Sequence, residues 1–119
     1  MRKTTASVIN LGCRVNRVES DKIAVGLISH GFELVDEEEA QLIVINTCAV
    51  TGEAEAKTRK AVRKAAGRPL EPIVIVTGCV VNLNPGELTS ISDRVIAEPS
   101  KVDVVSRALH AIGDMTDSS

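Results

Sequence analysis

The three cysteines of this sequence each close a run of apolar residues. SVINLGC ends at Cys13, VINTC ends at Cys48 and IVIVTGC ends at Cys79. An odd number of cysteines, far apart in the sequence, does not predict a disulfide framework. Thiolates select zinc or iron–sulfur centres, and three protein ligands leave one metal position open. The pattern therefore predicts a three-thiolate metal site, if the fold brings the cysteines together.

Other roles for the cysteines fit the sequence less well, although one remains open. A free cysteine is often simply a small buried hydrophobic residue, and this interpretation stays available for each of the three. No CxxC pair exists for a thioredoxin-like couple. A phosphate-binding cysteine loop would need an arginine shortly after Cys48, where the sequence has Glu53. His30 and His110 fall in predicted helices and are expected at the surface.

The apolar runs that precede the cysteines predict a parallel sheet. Residues 5–11, 41–46 and 73–77 are rich in Val and Ile and do not alternate with polar residues, as is typical of parallel strands covered on both faces. Shorter strands are predicted at 32–35 and 94–97. Together these runs predict an α/β fold with three layers and a mainly parallel five-stranded sheet, in the flavodoxin-like strand order 2-1-3-4-5.

Helical patterns separate the predicted strands. They cover about 17–30 and 52–66, with later helices that begin at Asn84-Pro85-Gly86-Glu87 and at 100–103. Gly31 is predicted to end the first helix, whose apolar stripe is Ile23, Leu27 and Ile28. The last helix is expected to end near Gly113. The sequence thus predicts one domain over 1–113 and a polar tail or linker over 114–119.

This strand order would place the three cysteines at one edge of the sheet. Cys13, Cys48 and Cys79 follow the first, third and fourth strands, which are neighbours in that order. Ligands of open α/β sheets bind at the carboxyl ends of the strands, beside the point where the strand order reverses.

Composition limits the possible partners. The chain has 119 residues, 44% of them hydrophobic, a net charge of −2, and Phe32 as its one aromatic residue. Single-stranded nucleic acids usually stack on aromatic side chains, so nucleic-acid binding by this chain alone is not expected. No apolar run is long enough to span a membrane and no signal peptide is apparent, so a cytoplasmic location without membrane partners is expected.

Three motifs resemble the N-terminal domain of the methylthiotransferases, radical-SAM enzymes that add a methylthio group to tRNA adenosines or to a ribosomal-protein aspartate. The motifs are LGCRVNRVES, VINTCAVTGEAEAKTR and VIVTGCVVN, and the resemblance covers about residues 5–112. The GCxVNxxES and NTCxVT forms look most like the branch that modifies N6-threonylcarbamoyladenosine beside the tRNA anticodon. Val81-Asn82 departs from the family, which more often has Ala-Gln there.

The resemblance implies that Cys13, Cys48 and Cys79 hold an auxiliary [4Fe–4S] cluster whose fourth iron accepts the sulfur to be transferred. Asn16 and Asn46 match family positions that can hydrogen-bond near the cysteine sulfurs, although Asn16 could equally cap the first helix. Family enzymes continue into a radical-SAM domain with S-adenosylmethionine and a second [4Fe–4S] cluster. The sequence has no CxxxCxxC motif for that cluster, so this chain is expected to hold no catalytic residue and to be inactive alone.

One further surface and two other functions for the whole chain remain open. Lys57, Lys60 and Lys64 share one face of the second helix, where they could contact tRNA in the full-length enzyme or form an ordinary solvated surface. The whole chain could be a flavodoxin-like docking module with incidental cysteines. It could also be a zinc or redox-sensing module that uses the same three ligands.

Overall fold

The computed structural model describes residues 4–11, 14–47, 52–68, 72–78, 94–98 and 103–116; for 14–17, 52–55, 78 and 112–116 it gives the backbone alone. The elements in these ranges alternate between strand and helix. In chain order they are β1 (Thr5–Leu11), α1 (Arg14–Ser29), β2 (Glu33–Leu34), β3 (Leu42–Thr47), α2 (Gly52–Ala66), β4 (Ile73–Gly78), β5 (Val95–Ala97) and α3 (Val104–Thr116).

The strands form one parallel sheet in the order β2-β1-β3-β4-β5. This confirms the predicted fold class and strand order. β3 pairs with both of its neighbours along its full length. Its pairing with β1 runs from Leu42 opposite Ala6 to Thr47 opposite Leu11, and its pairing with β4 ends with Thr47 opposite Gly78. β2 is shorter than predicted because only Glu33 and Leu34 pair with β1, after which residues 37–39 form a turn.

Apolar residues on both sides of the sheet explain why the central strands do not alternate. On one side α2 packs on β3 and β4; on the other side α1 packs mainly on β1 and also on β3, and α3 packs on β4. Successive residues of a strand point to opposite faces, so each strand needs apolar residues at every position. The two core clusters meet at β3, where residues 42–47 are all buried.

The C-terminal end of α1 is a Schellman motif. The Phe32 amide donates to the Leu27 carbonyl at 3.0 Å, and the Gly31 amide donates to the Ile28 carbonyl at 3.1 Å. Gly31 has a φ of 92°, which confirms the predicted left-handed stop. Leu27 and Phe32 are buried in the same core cluster, whereas Ile28 is 53% exposed, so the predicted apolar stripe was wrong at Ile28.

The C-terminal helix is longer than the sequence indicated. α3 continues to Thr116 and passes through Gly113, the predicted end. The predicted helix start at Asn84 lies outside the described residues, as do residues 100–102. The division into a domain over 1–113 and a tail over 114–119 stays a prediction. Among the described residues, no helix has the length and apolar character needed to cross a membrane.

Replacing Gly31 with alanine is expected to lower the free energy of unfolding by about 1 kcal/mol, because a Cβ strains a left-handed residue. Gly31→Asn should lose less, since asparagine tolerates this conformation best among the other residues. Urea unfolding followed by circular dichroism measures both changes. Equal stability of wild type and Gly31→Ala would contradict the assignment of Gly31 as the helix stop.

Candidate metal centre

The ends of β1, β3 and β4 lie at the same level of the sheet. Leu11 is opposite Thr47, and Thr47 is opposite Gly78. In the sequence Cys48 and Cys79 come directly after Thr47 and Gly78, and Cys13 comes two residues after Leu11. The cysteines themselves lie outside the described residues. The structure therefore places the three positions that lead into the cysteines side by side.

One residue before this level, the apolar core gives way to a row of polar side chains. Asn10 is opposite Asn46, and Asn46 is opposite Thr77; these three residues are called the polar row below. They alternate with residues that face α2, so they lie on the sheet face covered by α1 and α3. Asn46 and Thr77 are completely buried, whereas Asn10 is exposed at the outer end of the row.

A hydrogen bond joins helix α1 to Asn46, the middle residue of the polar row. The side-chain amide of Asn46 donates to Oγ of Ser20 at 2.9 Å, in a contact that is buried from solvent. A buried amide that lacked such a partner would cost about 1–3 kcal/mol. The contact therefore fixes α1 over the strand that leads into Cys48. Asn46 was a predicted site residue, and its role beside the cysteines stays a prediction.

Two threonines, Thr47 next to the polar row and Thr77 within it, use their hydroxyl groups differently. Thr47 Oγ1 donates to the backbone carbonyl of Thr77 at 3.0 Å, which ties β3 to β4 at their ends. Thr77 Oγ1 is buried and has no hydrogen-bond partner among the described residues. Sequence reasoning missed Ser20, Thr47 and Thr77. The sequence did offer one indication for the threonines, because Thr47 stands one residue before Cys48 and Thr77 stands two residues before Cys79.

The other predicted site residues can be placed only in part. Asn16 lies in the first turn of α1, and its side chain is outside the described part of the chain. Lys57, Lys60 and Lys64 are all exposed on α2, as predicted, and none forms an ion pair with another described residue. In the same ranges no group of three or more His, Cys, Asp or Glu side chains is placed to hold a metal ion.

An open cavity of about 900 Å³ lies along the β1 edge that β2 leaves uncovered. Asn10 and Ser20 line it, together with Lys64 and Arg68 from α2. Arg68 forms an ion pair with Glu37, and the lining also includes three other carboxylates, Asp21, Asp36 and Glu38. The acidic lining makes this cavity a poor site for a phosphate group. The same carboxylates also lower the positive electrostatic potential around Lys64.

Comparison with known proteins identifies a family and several relatives. Residues 5–97 match the family described as "Uncharacterized protein family UPF0004". A relative from Treponema pallidum, "Threonylcarbamoyladenosine tRNA methylthiotransferase MtaB", is 41% identical over 95 residues, 76% of this chain and 20% of the relative. The protein of the same name from Aquifex aeolicus is 36% identical over 98 residues, 80% of this chain and 24% of the relative.

A relative with a different name also matches this chain. The "tRNA-2-methylthio-N(6)-dimethylallyladenosine synthase" of Thermus thermophilus is 36% identical over 87 residues, 69% of this chain and 18% of the relative. This chain thus spans between about a fifth and a quarter of the length of these relatives. Both names describe enzymes that act on tRNA.

Proposed function

The chain belongs to the UPF0004 family, and we propose that it is the auxiliary [4Fe–4S] cluster domain of a tRNA methylthiotransferase. The observation that carries this proposal is the shared level of Leu11, Thr47 and Gly78 on three adjacent strands. The relatives' names support the reaction class, and the match to the MtaB relatives favours threonylcarbamoyladenosine as the modified nucleoside.

Covalent geometry limits how far apart the cysteines can lie. Paired positions on neighbouring strands are about 4.8 Å apart, and successive Cα atoms are about 3.8 Å apart. The Cα atoms of Cys48 and Cys79 therefore lie within about 12 Å of each other, because each follows one residue after the paired Thr47 and Gly78. Cys13 follows two residues after Leu11, which pairs with Thr47 on the other side. This distance limit is compatible with one shared cluster.

The residues near the strand ends fit an iron–sulfur cluster. Three thiolates would ligate three irons, and buried amide and hydroxyl groups beside them can hydrogen-bond to cluster or cysteine sulfur. When bound, such a cluster supplies one iron that lacks a protein ligand and can bind the sulfur species to be transferred. The chain's own residues would hold the cluster through Cys13, Cys48 and Cys79, and Asn46 would keep α1 over it through Ser20.

The remaining steps of the reaction belong to the rest of a longer enzyme. This chain has three cysteines in all, so a cluster that used them would leave none for a second, SAM-cleaving cluster. We therefore propose that it works with a radical-SAM domain of the same polypeptide and is inactive alone. Its tRNA substrate and S-adenosylmethionine would be bound mainly by that larger part.

Replacing any one of the three cysteines with alanine is expected to abolish most of the iron uptake. Wild type, after anaerobic reconstitution with iron and sulfide, should hold about four irons per chain and show broad brown absorbance. His30→Ala is a matched control, because histidine is the other common metal ligand and His30 is exposed, with Nδ1 2.8 Å from the Gly26 carbonyl oxygen. This control should retain full iron.

Two outcomes would contradict the cluster assignment. Retention of zinc with little iron would support the zinc or redox-sensing module. No metal in wild type would support the docking module, in which the cysteines are incidental.

The exposed lysines of α2 are proposed to contact tRNA phosphates in the longer enzyme. Replacing Lys57 and Lys60 with alanine should reduce the salt dependence of tRNA binding, by about 0.7–0.9 in the logarithmic slope for each lost contact. A control with Lys22 and Arg107 replaced removes the same charge from the opposite side of the sheet. Equal slopes for the two double variants would contradict the RNA role.

A further inference from the structure

We infer that the Thr77 hydroxyl is a hydrogen-bond donor to sulfur at the metal centre and raises its reduction potential. This inference rests on the proposed cluster and assigns a positioning and tuning role to a residue that was not among the predicted site residues. Thr77 would not ligate iron, because its hydroxyl is a weak ligand for an iron that thiolates already bind.

The first observation is that the Thr77 hydroxyl is buried but unused. The residue is 0% exposed, and Oγ1 has no hydrogen-bond partner among the described residues. A buried hydroxyl without a partner is costly, so such groups are rare and usually have a reason. The backbone carbonyl of Thr77 is already bonded, since it accepts from Thr47 Oγ1 at 3.0 Å.

The second observation is the position of Thr77 in the sheet. It is the inner end of the polar row, on β4 and opposite Asn46. In the sequence it precedes Cys79 by two residues, as Asn46 precedes Cys48 by two. Thr77 alternates with Val76, which faces α2, so its hydroxyl lies on the sheet face that α1 and α3 cover, one residue before β4 ends at Gly78.

The contrast with Thr47 separates a tuning role from a structural one. Thr47 lies on the neighbouring strand, one residue nearer its end, and is 1% exposed. Its hydroxyl is already engaged in holding β3 to β4, so that group has no second proton to donate. Two buried threonines of equal size thus occupy the same end of the sheet, and only one has a proton available for another partner.

A hydrogen bond to sulfur stabilises the reduced cluster more than the oxidised cluster, because reduction adds negative charge that the donor's dipole offsets. Losing the Thr77 hydroxyl should therefore lower the midpoint potential. Valine keeps the shape of the side chain and removes only the hydroxyl. The metal-free chain should tolerate that change, since Thr77→Val removes a buried polar group that has no described partner.

The test is an EPR-monitored redox titration of the reconstituted chain, with iron and sulfide measured on the same samples. Thr77→Val should keep the wild-type iron content and show a lower midpoint potential, and Thr77→Ser should restore the wild-type value. Thr47→Val should leave the potential unchanged. In the metal-free chains, urea unfolding should show the opposite order: Thr47→Val loses stability, whereas Thr77→Val does not.

The outcomes distinguish this inference from the proposed function. If wild type forms no iron–sulfur cluster, the proposed function and this inference both fail. If wild type and Thr77→Val hold the same cluster at the same potential, only the inference is overturned. Loss of the cluster from Thr77→Val, with retention in Thr77→Ser and unchanged urea stability, would support the hydroxyl contact.

Discussion

The shared register of three parallel strands is the constraint on which the rest of this structure depends. β1, β3 and β4 pair position by position, so they end at the same level. Parallel neighbours require helical crossovers, which return the chain to the same starting edge and bring every strand end to the opposite edge. Residues that are more than thirty positions apart in sequence are thereby gathered at one edge, with no contact between the loops being required.

The helices on both faces of the sheet give this register its stability. Ile43 and Ile45 pack toward α2, and Leu42 and Val44 pack toward α1 and α3, so a slip of one residue would exchange the two apolar sets. The polar row begins where this apolar packing stops. There the side-chain nitrogen of Asn46 donates to Ser20, and this buried contact fixes α1 across the end of β3. The same packing that stabilises the fold thus holds the polar groups beside the strand ends.

Much of the fold could be predicted because it depends on short-range patterns. The unalternating runs indicated buried parallel strands, and Gly31 indicated a left-handed helix end. Ile28 was misassigned because it lies at the border of the apolar face of α1. The helical spacing alone does not show whether a border residue is buried, and the packing of α1 leaves Ile28 exposed. Gly113 did not end α3, which shows that glycine favours a helix end without requiring one.

The candidate ligands, which stay a prediction, could be named from the sequence, but their surroundings could not. Cysteine at the end of an apolar run is visible in the sequence, but the opposition of Thr77 and Asn46 follows from the strand register, which the sequence does not display. Cross-linking of the metal-free chain with dibromobimane, a short thiol cross-linker, tests the central claim most directly. In three variants that each keep two cysteines, we expect every pair to be bridged within one molecule in the folded state and the bridging to decline in urea. A cysteine that is bridged to neither of the others would contradict the convergence of Cys13, Cys48 and Cys79 at one edge of the sheet.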